Sequence, residues 1–201
     1  MQIFKFLLVL LVSTSILVAC KNDAQKANAI SDIQSTQNAG ENLSPLDKID
    51  QTVKTIDAIA EKDWGNIKKK ELMMSSEGGE WQEYYDKNNK LRKALADIYG
   101  EMGKMNEIYY FDEAGNMIQY LYKSYEYSHH LNHSAIMEDL GEPVADDFEI
   151  KIVDSTIYKA YLSEGKLLEM KALYGKNIDQ EMLDKAASAI AEDFKTYQNA
   201  E

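Results

Sequence analysis

From Trp81 to Tyr127 apolar and polar residues alternate along the chain. Met105, Glu107, Tyr109 and Phe111 share one side of an extended backbone, and Ile108 and Tyr110 take the other. Asn88-Asn89-Lys90 and Ala114-Gly115-Asn116 punctuate the run as turns. The stretch therefore predicts two successive β-hairpins joined by Gly100-Glu101-Met102-Gly103. Ile67 to Met74 predicts a first strand ahead of them, turned by Ser75-Ser76-Glu77-Gly78-Gly79. A third hairpin follows a break, with Glu149 to Leu162 and Lys166 to Leu173 flanking Ser163-Glu164-Gly165. One grammar runs through all three: Tyr85-Asp86 with Lys90-Leu91, Phe111-Asp112 with Asn116-Met117, Tyr161-Leu162 with Lys166-Leu167.

Outside the strands the apolar period changes to three and four. Leu46, Ile49, Val53, Ile56, Ile59 and Ala60 lay a stripe along a helix from Ser44 to about Lys62, opened by Ser44 as cap, Pro45 in the first turn and Asp47 facing the free amides. Asp63-Trp64-Gly65-Asn66 closes it. Asn177 to Gln180 opens a last helix, with Met182, Leu183, Ala186, Ala187, Ile190, Phe194 and Tyr197 on one side. The expected fold is α+β, a curved antiparallel β-meander of about six or seven strands in hairpins, with an N-terminal and a C-terminal helix covering one face.

Residues 1–43 follow neither pattern. Lys5 supplies a charged start, Phe6 to Val12 an apolar run, and Leu17-Val18-Ala19-Cys20 a small-residue exit, whereas Ser13, Thr14 and Ser15 break the run well short of the ~20 apolar residues a membrane span needs. Leu17-Val18-Ala19-Cys20 resembles the lipobox of bacterial lipoproteins. That resemblance implies removal of residues 1–19, acylation of Cys20 and attachment to the lipid bilayer of the bacterial cell envelope. Lys21 in place of aspartate implies the outer rather than the inner membrane if the cell is Gram-negative, and Lys21-Asn22-Asp23 is similar to the export signal of surface lipoproteins in Bacteroidetes. Cys20 is the one cysteine of the chain, so no disulfide can form within it. From Lys21 to Leu43 the Asn, Gln, Ala, Ser and Asp content cannot bury enough surface to offset its ordering entropy, which reads as a flexible tether with an r.m.s. reach of roughly 25 Å. The expected organisation is a signal peptide over 1–19, a tether over 20–43 and a single domain over 44–201.

Charge narrows the function classes. With 34 acidic against 22 basic residues the net charge is -12, and Arg92 is the only arginine. A nucleic-acid backbone would be repelled, so no nucleic-acid partner is expected. No nucleophile elbow, phosphate loop or Ca²⁺ loop occurs, and scattered carboxylates in so acidic a chain do not amount to a glycosidase pair. No catalytic residue and no cofactor is assigned.

Two features remain. His129, His130 and His133 are all the histidines of the chain, and they fall between the second and third hairpins. On a helix His129 and His133 would share a face, and Glu138, Asp139 or Glu142 could complete a metal site, although His130 stands where a zincin needs glutamate. The plainer reading is a solvated acidic loop. The second feature is tyrosine, 13 in all, with Tyr84, Tyr85, Tyr109, Tyr110, Tyr120, Tyr122, Tyr125 and Tyr127 on predicted strands. A sheet needing one face for its core would leave the other to a protein or glycan partner. Glu77-Gly78-Gly79, Tyr84-Tyr85-Asp86, Tyr99-Gly100-Glu101-Met102-Gly103-Lys104, Tyr109-Tyr110-Phe111 and Gly115-Asn116 together resemble an uncharacterised group of small exported bacterial proteins, and the hairpin grammar resembles MORN-like repeats. These resemblances imply export and a hairpin fold but no activity. The expected function is that of a membrane-anchored binding or interaction module, and the alternative is a metal-binding protein or metal-dependent enzyme using the His129–His133 loop.

Overall fold

Seven strands pair in sequence order, so each neighbour in the chain is a neighbour in the sheet. The computed structural model describes residues 43–145 and 148–200. The expected signal segment, Cys20 and all of the expected tether but Leu43 lie outside the described residues. Strands β1 (Asn66–Leu72), β2 (Gly79–Tyr85), β3 (Leu91–Gly100), β4 (Gly103–Phe111), β5 (Met117–Tyr127), β6 (Ile152–Ser163) and β7 (Lys166–Tyr174) form one antiparallel sheet in the order β1 to β7. Among the described residues three α-helices accompany it: α1 (Pro45–Asp57), α2 (His133–Asp139) and α3 (Gln180–Asn199). The fold is α+β, an antiparallel meander flanked by N- and C-terminal helices.

Short local contacts set each hairpin. In the β2–β3 turn Asp86 Oδ1 accepts from the amides of Asn88 at 2.8 Å and Lys90 at 3.0 Å, and in the β4–β5 turn Asp112 Oδ1 accepts from Asn116 N at 2.8 Å. Each aspartate ties down a turn whose fourth residue is left-handed, Asn89 at φ 57° and Gly115 at φ 88°. The third hairpin departs from the shared grammar. Glu164 and Gly165 both have positive φ, the two-residue primed turn that matches strand twist without a capping carboxylate.

The two long helices pack on opposite faces, which overturns the expectation of a single covered face. On one face α1 brings Val53 and Ile56 onto Ile108, Tyr110 and Ile118. On the other, α3 brings Ala186, Ile190 and Tyr197 onto Trp81, Tyr109, Phe111 and Tyr120. The alternation in β4 requires this: Ile108 and Tyr110 point one way, Tyr109 and Phe111 the other, and all four are buried. A sheet that is apolar on both sides at its centre needs two covers. The tyrosines of the central strands are consequently packing residues for the most part, and no whole face remains for a partner.

Element ends shift for identifiable reasons. Ser44 and Asp47 form the expected capping box, with Ser44 Oγ accepting from Asp47 N at 3.2 Å and Asp47 Oδ2 accepting from Ser44 N at 3.3 Å. The helix stops at Asp57, before Ile59 and Ala60. Ala60 is extended, and a single 3₁₀ turn over 61–63 re-aims the chain so that Trp64 packs on Tyr84, ring centroids 5.3 Å apart. Strand β6 begins at Ile152 instead of Glu149, and the stretch read as a loop between β5 and β6 contains α2.

Candidate binding groove

α3 changes character along its length. Towards its C-terminus Ile190, Phe194 and Tyr197 fill the space over the sheet, and Phe194 meets the rings of Trp81, Tyr109 and Phe111 at 5.6, 5.3 and 5.3 Å. Towards its N-terminus, beyond Met182, it carries Ala186 and Ala189, too small to close the gap over β5 and β6. A groove of about 640 Å³ results, open to solvent along one side.

Aromatic and hydroxyl groups dominate its sheet side. Tyr122 and Tyr158 are directly paired in the β5–β6 register and their rings stack at 5.9 Å and 21°. Tyr120 forms the inner end, and Ser124 and Thr156, also a register pair, the outer. The helix side supplies charge. Lys185 Nζ bonds Glu181 Oε1 at 2.6 Å, and Asp179 caps α3 by accepting from Met182 N at 2.8 Å. Burial, with the neighbouring Tyr122 and Asp179, raises the Tyr158 phenol above its ordinary value, so it is a neutral hydroxyl at physiological pH. Gly175 lets the chain leave β7 close against β6: at φ +84° a Cβ there would lie 2.3 Å from the Ser155 carbonyl oxygen.

Directly behind Tyr120 sits a buried acid that alternation alone does not explain. Glu107 is 3% exposed and accepts hydrogen bonds from Tyr109, through Oε2, and from Tyr197, through Oε1 at 3.1 Å. Burial pushes its carboxyl above the ordinary glutamate value, and nearby Asp193 pushes the same way against the tyrosine donors, Tyr120 among them. The signal was present, since Glu107 interrupts the inward-facing series Met105, Tyr109, Phe111 in the strand pattern. An acid at such a position is either misplaced or surrounded by donors.

The histidines occupy a separate place at the end of the sheet. His129 precedes α2 and His133 opens it, so the pair is not spaced along one helix. Their rings nevertheless meet at 4.8 Å, and Phe148 packs against both, 5.0 Å from His129 and 4.6 Å from His133. His130 Nε2 is instead 2.8 Å from Glu101 Oε2. Among the described residues no group of three or more His, Cys, Asp or Glu side chains is placed to hold a metal ion. Glu138, Asp139 and Glu142 are exposed and do not converge on the histidine pair. A second hollow, under the β1–β2 loop, is walled by Lys69, Glu71, Leu72, Glu77, Glu80 and Tyr99 and has no aromatic pair. The groove beside α3 is thus distinguished by its lining, a largely apolar floor edged by hydroxyls and paired charges. No family model matches the chain, and comparison with curated proteins and with solved structures likewise finds no match.

Proposed function

We propose that this chain is an exported lipoprotein, held on the envelope membrane through acylated Cys20, that acts as a binding module with the groove beside α3 as its contact surface. The observation carrying this reading is the Tyr122–Tyr158 stack, a rigid pair of rings with polar rims set in an otherwise unfilled gap. Rings of this kind offer large contact area at low conformational cost, and the flanking hydroxyls of Ser124 and Thr156 suit a ligand with both apolar and hydrogen-bonding faces. A glycan or a segment of another envelope protein has that chemistry. The acidic surface argues against nucleic acid. A tether over 20–43 lets the domain search near the bilayer instead of lying on it.

The test is a glycan array together with cross-linking in intact envelopes, both with the full chain. Tyr122→Ala and Lys185→Glu change a half-buried and an exposed position, so folding can be verified by melting temperature. Loss of a glycan or cross-linked partner in both variants is the expected result. Unchanged partners in both would remove the groove from the reading.

A further inference from the structure

The exposed large apolar side chains of the described residues are not scattered. Leu168 excepted, they gather at one end of the sheet, where β1, β3, β5 and β7 finish and β2, β4 and β6 begin. Met73 and Met74 follow β1, Met102 sits in the β3–β4 turn, Leu140 follows α2, and Ile152 and Val153 open β6. Met73 is 79% exposed, Leu140 69% and Val153 60%. Main-chain hydrogen bonds hold neighbouring loops together there. Tyr99 N donates to Gly78 O at 3.0 Å, Tyr127 N to Met102 O at 2.8 Å, Leu131 N to Glu101 O at 2.9 Å and Ser128 N to Lys151 O at 2.8 Å. Exposed apolar side chains gathered at one end of a sheet, with adaptable methionines among them, mark an interaction site.

The charges around it select the occupant. Glu77, Glu101, Glu126, Glu138, Asp139 and Asp154 are exposed on the same loops and strand ends, against Lys104, Lys151 and Lys176. Lys104 already lies over the Tyr125 ring at 5.2 Å. An anionic lipid surface would be repelled by this rim, and so would a second copy presenting the same rim to itself. We infer that the apolar end of the sheet seats a segment of a partner protein that carries an apolar face flanked by lysine or arginine. The contact resembles the binding of an amphipathic helix to an apolar groove, with methionines adapting to the side chains and acids reading the basic flanks.

The experiment titrates the full chain in detergent micelles with a synthetic amphipathic peptide of leucine and lysine, followed by fluorescence anisotropy, and repeats it with the Met102→Asp, Val153→Asp double variant. General attraction to a chain of charge -12 would make the peptide bind the more acidic variant at least as tightly. A seat at the apolar end predicts the opposite, a weakening of tenfold or more, with an unchanged melting temperature showing that the fold persists. Glu101→Lys, Glu138→Lys should weaken binding similarly and flatten its salt dependence. Equal or tighter binding by the double Asp variant overturns the proposal. So does preferential binding of phosphatidylcholine vesicles over the peptide, or a dimer in sedimentation that the double variant dissolves.

Discussion

Tyr197, from the last turns of α3, donates its hydroxyl to Oε1 of Glu107 on β4 across 3.1 Å, and both side chains are buried. This bond ties the end of the chain to the middle of the sheet through a carboxylate that burial drives towards its neutral form. Tyr109, Tyr120 and Tyr197 favour the ionised form by donating, but desolvation and the charge of Asp193 outweigh them, and the folded pKa lies above the ordinary 4.5.

The consequence is a stability that falls with rising pH. A carboxyl whose pKa is raised on folding contributes fully below its unfolded value, and that contribution is lost as pH rises through the folded pKa. The melting temperature should therefore decline as pH is raised from about 5 towards neutrality. Glu107→Gln, which stays neutral, should flatten this slope. Thermal melts in a pH series check it, and an identical slope in the variant would show that the Glu107 pKa does not change on folding.

Core substitutions should rank by contact. Trp81 meets Tyr109, Phe194 and Tyr197 and is 2% exposed, and Tyr109 is fully buried between Trp81, Tyr120 and Phe194. Truncation of either to alanine should cost about 3–5 kcal/mol. Leu121, half-buried beneath α1, should cost less. Trp81→Phe should be much milder than Trp81→Ala, because the Trp81 indole N–H is buried without an acceptor and its removal recovers about 1–3 kcal/mol of desolvation. Chemical denaturation gives the ranking. If Trp81→Phe cost as much as Trp81→Ala, the indole would have to be bonded in solution.

Strand order and pairing were legible because period-two alternation and turn residues are local signals. Asp86 and Asp112 mark their turns by capping them, and Ser44, Pro45 and Asp47 mark the start of α1 for the same reason. What alternation cannot give is the side on which a distant helix lands. Tyr109 and Tyr110 look alike in sequence, yet one faces α3 and the other α1, where its hydroxyl bonds Asp57 at 3.0 Å. The groove was illegible for a related reason. It arises from alanines at 186 and 189 standing over Tyr122 and Tyr158, residues far apart in the chain and unremarkable singly. The histidine cluster was visible as composition, but its packing on Phe148 depended on a turn at 130–132 that helical spacing does not describe.

That packing leads to an expectation for metal. Phe148 occupies one side of the His129–His133 pair, and His130 is directed to Glu101, so a third ligand does not converge on the pair among the described residues. Stoichiometric Zn²⁺ should leave the melting temperature unchanged, since a ligand stabilises only by binding the folded state preferentially. A saturable one-to-one rise that disappears in His129→Ala, His133→Ala would restore the metal-dependent reading.

The anchor is tested through Cys20. A single thioether would carry the diacylglycerol, and at ~0.8 kcal/mol per buried methylene two or three chains hold a protein on a membrane essentially permanently. Cys20→Ala should leave unprocessed or mislocalised protein, read by fractionation and by mass spectrometry of the N-terminus. Correct cleavage followed by firm membrane association in the variant would exclude the lipoprotein reading.

On the opposite face from Glu107, α1 is held by a polar clasp whose pH response has the reverse sign. Asp50 Oδ1 accepts from Gln119 Nε2 at 3.0 Å, Oδ2 from the Tyr161 hydroxyl at 3.0 Å, and Lys159 Nζ lies 3.4 Å away. Burial alone would raise this carboxyl, but the donors Tyr161, Gln119 and Lys159 outweigh it and hold it below the ordinary 3.8. A depressed pKa contributes stability above the unfolded value, and that stability is lost as pH falls through the folded one. The clasp should thus open below about pH 4, where Asp86 and Asp112, also depressed, act in the same direction. Asp50→Ala leaves the buried Gln119 amide without this acceptor, and because the site is partly open to solvent its cost should be only about 1–2 kcal/mol. Hydrogen exchange at neutral pH should show α1 amides losing protection in the variant while α3 amides keep theirs. Equal loss in both helices would mean that α1 docking and the core of the sheet form one cooperative unit.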